Sequence, residues 1–298
     1  MNGILEWGYD LIQWAQQFSP ALDTFSKAIT TLGAEQAFLL LMPLVFWCVD
    51  KRRGVRLGLL LMLSAYLNAT LKNLFDQPRP SADRVKVMAK ETSPGLPSGH
   101  SQNSVTVYGF LAAQARRPRA WALASLITFS VGWSRIYLGV HFPSDVLGGW
   151  LVGLLVLIFY LRVEPEIEIY LRTWPWRYQM ALAILLPLVL FLVDANQDSA
   201  QLMGIVLGLM AGVLVEFRWV KFSAAGTLWQ RLLRFIAGGT ILIVVWLGTK
   251  VIFPEEPETV ALIFRLIRYT LVGAWASLGA PWFFVRSGLA PRESEAWE

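Results

Sequence analysis

The 298-residue chain is 55% apolar and 16% charged, with 14 Trp and 17 Phe but two His and one Cys. A soluble domain carries about 25% charged residues and needs that polar surface to cover its core, so a soluble fold of this length is excluded. The lone Cys48 excludes an intramolecular disulfide and a thiolate zinc or iron–sulfur site. The net charge of +5 follows membrane side rather than a nucleic-acid patch, so no nucleic-acid partner is expected.

Residues 3–18 set Ile4, Trp7, Leu11, Trp14 and Ala15 at helical spacing, with Glu6, Asp10, Gln13, Gln16 and Gln17 between them. That pattern predicts a helix lying in the membrane interface. No Lys or Arg precedes Lys27, so the segment does not read as a secretory signal. Apolar runs follow at 36–50, 55–74, 99–115, 119–137, 144–162, 178–194, 199–216, 233–252 and 263–285. Their charge-free cores are shorter than the ~20 residues that cross a bilayer, so flanking polar and aromatic residues complete each crossing. The expected fold class is all-α: a polytopic membrane helix bundle of about nine spans plus the N-terminal interfacial helix. Three regions are expected: 1–35 with the interfacial helix, 36–163 with the polar motifs, and 164–298 with four further spans and a short tail.

The connecting segments fall into two alternating sets. One holds Lys51, Arg52, Arg53, Arg56, Arg116, Arg117, Arg119, Arg162, Arg172, Arg177, Arg218, Lys221, Arg231, Arg234, Arg286 and Arg292, the larger share of the 26 basic residues. The positive-inside rule makes that set cytoplasmic, which puts the N-terminus outside and the C-terminus inside. A bacterial inner membrane is the expected setting, with the motifs on its periplasmic side. Beyond residue 163 the spans read as packing material. Gly204, Gly208 and Gly212 form a small-residue stripe that lets helices approach closely. Arg265 and Arg268, near the outer start of the last run, are expected to snorkel toward the headgroups.

Three polar segments interrupt the apolar pattern at outer ends of spans. The first runs from Lys72 to Arg79-Pro80, where a helix meets a proline-broken loop. The second is Pro97-Ser98-Gly99-His100, a turn opening the third run, and the third runs from Ser134-Arg135 through His141 to Asp145. Both histidines of the chain lie in this set. Lys72, Arg79 and Arg135 are three fixed cations suited to the oxygens of one phosphate. Ser98-Gly99 feeds a helix N-terminus that also favours an anion, with Gly99 allowing close approach. His141 and Asp145 stand four apart, with Pro143 between them placed to start a helix, so the carboxylate can hold one ring nitrogen and leave the other as nucleophile. His100 remains as proton donor to a leaving oxygen. No carboxylate cluster has metal-ligand spacing, so neither a metal nor another cofactor is expected. Asn68, one turn before Lys72, either supports its ammonium group or makes an interhelical hydrogen bond. Arg84, Lys86 and Lys90 either meet the headgroup or form a solvated loop face.

Lys72-x6-Arg79-Pro80, Pro97-Ser98-Gly99-His100 and Ser134-Arg135-x5-His141-x3-Asp145 together resemble the three-part signature of the type 2 phosphatidic acid phosphatase superfamily. That superfamily includes lipid phosphate, undecaprenyl pyrophosphate and sphingosine phosphate phosphatases. The resemblance covers residues 36–163 and implies a phosphohistidine on His141, His100 as general acid and Asp145 as the partner of His141. It also implies Lys72, Ser98, Gly99, Arg79 and Arg135 around the phosphate, with Ser134 orienting Arg135 or only capping. The N-terminal helix and four C-terminal spans depart from the familiar six-span phosphatases. The expected activity is hydrolysis of a membrane lipid phosphate or pyrophosphate. The alternatives are a soluble sugar-phosphate phosphatase of the glucose-6-phosphatase type and a non-catalytic lipid or anion transporter.

Overall fold

The structure, a computed structural model, describes residues 2–254 and 256–293. It is 78% helical, with no strand among the described residues. The helices are α1 (Asn2–Gln16), α2 (Asp23–Thr30), α3 (Glu35–Cys48), α4 (Lys51–Phe75), α5 (Gly99–Ala115), α6 (Pro118–Tyr137), α7 (Pro143–Arg172), α8 (Trp176–Val193), α9 (Gln197–Val215), α10 (Leu228–Ile252), α11 (Glu258–Ala274) and α12 (Ala280–Arg286). Among the described residues, 6 helical stretches are long and apolar enough to cross a membrane: α4, α7, α8, α9 with its extension to Val220, α10, and Glu258–Arg286. The expected runs at 36–50, 99–115 and 119–137 are also helical, as α3, α5 and α6. Those three do not reach crossing length and hydropathy by themselves. α5 is 17 residues long and carries a buried polar first half of Ser101, Gln102, Asn103, Ser104 and Thr106.

Helix ends follow local chemistry. Beyond α4 the backbone of Asp76 turns to φ 42, and Pro78 and Pro80 stop the helix from resuming. Ser98 caps α5 by accepting from Ser101 N, and Pro118 and Pro143 start α6 and α7. Thr227 and Gln230 form a reciprocal capping box on α10.

The chain folds as two compact units. The first comprises residues 2–39 and Leu63–Glu166. In it α5 packs on α6, and α1 and α2 lie along α6. The face that α1 buries holds Tyr9, Ile12 and Ala15, against Val85, Ile136, Tyr137 and Phe142. Trp7 and Trp14 instead stand 53% and 50% exposed. The tryptophans therefore form the exposed face of this helix, and Ala15 docks it together with Tyr9 and Ile12, which the sequence pattern leaves out. The side chain of Ile4 lies outside the described residues. Arg84 makes two bonds to Glu6, at 2.8 and 2.7 Å, and Lys86 lies 3.3 Å from Asp23. These two loop cations thus tie residues 81–91 to the N-terminal helices. On the other side α7 meets α5 closely, since a Cβ at Gly149 would stand 2.6 Å from the Ser98 carbonyl oxygen.

The second unit comprises Leu40–Met62 and residues 167–293. Phe46, Trp47, Phe222, Ala276, Ala280 and Phe284 form its core. Arg234 is fully buried there and donates to the carbonyls of Trp47, Ala224, Ala225 and Leu289. Lys51 lies 3.5 Å from Glu216 and 2.7 Å from Glu293. The glycine stripe on α9 lets α11 approach to backbone contact. A Cβ at Gly208 would stand 2.1 Å from the Thr270 carbonyl oxygen, closer than any side chain can pack.

Gly208→Ala is therefore expected to destabilise by about 1–3 kcal/mol through overpacking, seen as a lower thermal midpoint in detergent. Gly239 on α10 has no atom within 4 Å of an added Cβ, so Gly239→Ala should leave the midpoint unchanged or raise it. The opposite order would show that α9 and α11 do not pack through the stripe.

Candidate active site

The three motifs come together within the first unit, around the segment that joins α6 to α7. Asp145 lies in the first turn of α7, and its Oδ2 accepts from Phe142 N at 2.9 Å. The same oxygen lies 3.2 Å from His141 Nδ1, while Oδ1 accepts from Gln77 Nε2 at 2.6 Å. Its own carbonyl accepts from Ser98 N at 2.9 Å, which fastens the Pro97–His100 turn to α7.

His141 is 1% exposed, and its Nε2 lies 3.0 Å from Arg79 Nη1. A guanidinium only donates, so Nε2 accepts and the proton sits on Nδ1, facing Asp145. Burial holds the imidazole well below its ordinary pKa, and the charges of Arg79, Arg135 and Lys72 act in the same direction. The ring is thus neutral at physiological pH, with its lone pair on the nitrogen that faces the cations.

Each cation is fixed by acceptors. Lys72 Nζ donates to Ser93 Oγ at 2.9 Å and to the Pro94 carbonyl at 2.5 Å. Arg79 Nε donates to the Ser93 carbonyl at 2.6 Å, and Nη1 to the Val140 carbonyl at 2.8 Å. Arg135 Nη1 donates to Thr30 Oγ1 at 2.9 Å, and Nη2 donates to Glu91 Oε1. Glu91 Oε2 also lies 3.6 Å from Arg79 Nη2. One carboxylate therefore bridges two of the three cations, as two oxygens of a phosphate group would.

The remaining candidates lie around this centre. His100 is the second residue of α5 and is half-buried. Ser98 is fully buried, and its hydroxyl is engaged with Ser101 N and Oγ as the helix cap. Gly99 faces Asn68, whose Oδ1 would stand 3.0 Å from an added Cβ. The amide of Asn68 donates to the Pro97 carbonyl at 3.2 Å and to Gln102 Oε1 at 2.8 Å, so it ties α4 to the turn. The Ser134 hydroxyl donates back to the Val131 carbonyl at 2.6 Å, within its own helix.

Glu91, Ser93, Gln77 and Gln102 were not singled out from the sequence. Gln77 falls inside the first motif, and Glu91 is the only acid between Asp83 and Asp145. Gln102 Nε2 donates to Ser64 Oγ at 3.0 Å and to the Ser64 carbonyl at 2.8 Å, which continues the α4–α5 polar ladder below Asn68.

Comparison with known proteins places the three motifs inside a segment that matches a known family. The PAP2 superfamily profile matches residues 53–168, and a second profile, described as PAP2 superfamily phosphatase, transmembrane extension, matches residues 200–292. Phosphatidylglycerophosphatase B of Bacillus subtilis (strain 168) is 34% identical over 162 residues, covering 50% of this chain and 78% of that protein. A probable sphingosine-1-phosphate phosphatase of Dictyostelium discoideum is 30% identical over 215 residues, covering 65% of this chain and 53% of that protein. The chain spans about half the length of several of the curated relatives it matches. The crystal structure of a transmembrane PAP2-type phosphatidylglycerolphosphate phosphatase from Bacillus subtilis superposes with a TM-score of 0.50 at 29% identity, covering 56% of this chain and 89% of that one. With motifs, clustered geometry and matched segments in agreement, the chain belongs to the PAP2 superfamily and carries that superfamily's transmembrane extension.

Proposed function

We propose that this protein is an integral-membrane phosphatase that hydrolyses a lipid phosphate or lipid pyrophosphate without a metal, through a phosphohistidine on His141. The observation that carries the proposal is the placement of the buried His141 ring, with Nδ1 on Asp145 and Nε2 directed at Arg79.

The Nε2 lone pair attacks phosphorus as the P–O bond to the lipid breaks, and His100 gives its proton to the departing oxygen. Asp145 stabilises the charge that develops on the imidazole through Nδ1–H. Lys72, Arg79 and Arg135 stabilise the transferring phosphoryl group, together with the N-terminus of α5 at Gly99 and His100. His100 then takes a proton from water, whose oxygen attacks phosphorus. The P–N bond breaks, phosphate leaves and His141 is restored. Ser98, Asn68 and Ser134 act as supports, since their polar atoms are engaged with the turn and with helix backbone.

Lipid as substrate is supported by two observations. The motifs lie at helix ends, and α7 leaves Leu147, Leu151, Leu155 and Phe159 exposed in one stripe below the site. The names of the relatives in Bacillus and Dictyostelium point the same way. Nine crossings are proposed, with α3, α5 and α6 added to the six long apolar stretches. The basic loops would then face the cytoplasm, the N-terminus and the site would face outward, and a bacterial inner membrane would be the setting.

His141→Ala, folded by its thermal midpoint, should release phosphate from a long-chain lipid phosphate at least about 10³-fold more slowly than wild type in excess EDTA. Activity in the variant above that level, or loss of wild-type activity in EDTA, would overturn the mechanism. Glu91 supplies a second test, because its carboxylate occupies the arginine pair that the phosphate needs. Glu91→Gln should lower the lipid phosphate KM and the vanadate inhibition constant by on the order of tenfold, with kcat nearly unchanged. A raised KM would show that Glu91 assists substrate binding instead of competing with it.

A further inference from the structure

The transmembrane extension holds a buried cation that its fold does not neutralise. Arg268 lies ten residues into α11, about 15 Å along its axis at 1.5 Å per residue, which is near half the thickness of a bilayer core. The residue is 7% exposed, and the cavity it lines with Gln197, Pro254 and Glu258 draws its side chain toward the N-terminal ends of α9 and α11. Its Nε is buried without a hydrogen-bond partner. The fully buried Arg234 of the same unit, by contrast, donates to four backbone carbonyls. A buried ionised side chain is expensive unless something pairs with it, and such residues in a membrane protein mark ligand sites more often than packing.

Arg268 lines a cavity of about 120 Å³ together with Arg265, Glu258, Gln197, Pro254 and Leu262. Arg265 and Arg268 are three residues apart and so share one face of α11. The start of α9 and the loop between α10 and α11 supply the rest of the wall. Two guanidinium groups against one carboxylate leave an excess positive charge, and the carboxamide of Gln197 adds a neutral donor. Guanidinium forks match the paired oxygens of a tetrahedral oxyanion. A cavity of this size takes a phosphate group but not an acyl chain.

We infer that this cavity is a second anion site, in which Arg268 and Arg265 bind one phosphate group, presented either by a phospholipid headgroup or by free phosphate. The site shares no residue with the His141 cluster. The bound anion supplies the countercharge that the fold withholds from Arg268, so occupancy also stabilises the extension.

The full-length protein, purified in detergent and stripped of lipid, tests this with two probes, phosphatidylglycerol and inorganic phosphate. Binding is read by native mass spectrometry and by the rise in thermal midpoint, for wild type and Arg268→Leu side by side. Phosphate bound at the His141 cluster is common to both proteins and cancels in the comparison. At least tenfold weaker binding of phosphatidylglycerol to the variant establishes a lipid site, and the same loss for inorganic phosphate alone establishes a site for the free anion. Equal binding of both probes to the two proteins overturns the inference. Should Arg268→Leu yield no folded protein, Arg265→Gln decides in its place: it leaves the buried arginine and should weaken the same probe several-fold, and no change would overturn the inference.

Discussion

Three cations held beside one neutral imidazole are the constraint on which the first unit depends. Two like charges about 4 Å apart repel by about 4 kcal/mol at an effective dielectric near 20, so Lys72, Arg79 and Arg135 cannot be gathered without acceptors. The loop after α4 provides them. Ser93 and Pro94 turn carbonyls and a hydroxyl onto Lys72 and Arg79, Val140 gives a carbonyl to Arg79, and Glu91 spans Arg79 and Arg135. The path of this loop is thus dictated by the charges it must satisfy. Its outer part is held in turn by α1 and α2, through Glu6 on Arg84 and Asp23 on Lys86. An N-terminal helix pair that lies apart from the motifs in sequence therefore acts as a brace for the loop that holds the three cations.

A second set of bonds fixes the histidines relative to one another. Asn68, Gln102, Ser64 and Asn103 join α4 to α5, and the Ser98–Asp145 backbone bond joins α5 to α7. Inside a bilayer such polar contacts find no competing water, so they set helix register as well as adding stability. Gly149 permits the close α5–α7 approach that this register needs. The second unit follows other rules: a glycine stripe between α9 and α11, an aromatic core, and Arg234 satisfied by carbonyls. Against that background the unpaired Arg268 stands out.

The candidate site residues were legible because histidine is rare in this chain. Two histidines, both at marked turns, and cations at span ends cannot be explained by lipid contact alone, and the structure brings them together. The supporting residues were harder to read. Glu91 and Ser93 sit in a loop without periodicity, and only the fold reveals that they face the cations. Gln102 and Asn103 lie in a run that reads as apolar on average, although they make its buried face polar. In α1 the exposed tryptophans dominated the pattern and hid the docking face of Tyr9 and Ile12, since this helix is apolar on two sides. Arg268 poses a related difficulty: depth along a helix can be counted from the sequence, but whether a side chain turns toward lipid or toward the bundle cannot.

The central claim is that His141 Nε2 forms a bond to phosphorus. Rapid quenching of the wild-type protein during turnover of a long-chain lipid phosphate, followed by peptide mass spectrometry under alkaline conditions, tests it directly. The account predicts phosphate on the peptide carrying His141, stable in base, lost in acid and formed as fast as the first turnover. Turnover with no phosphorylated peptide at any quench time, or phosphate on another residue, would contradict it.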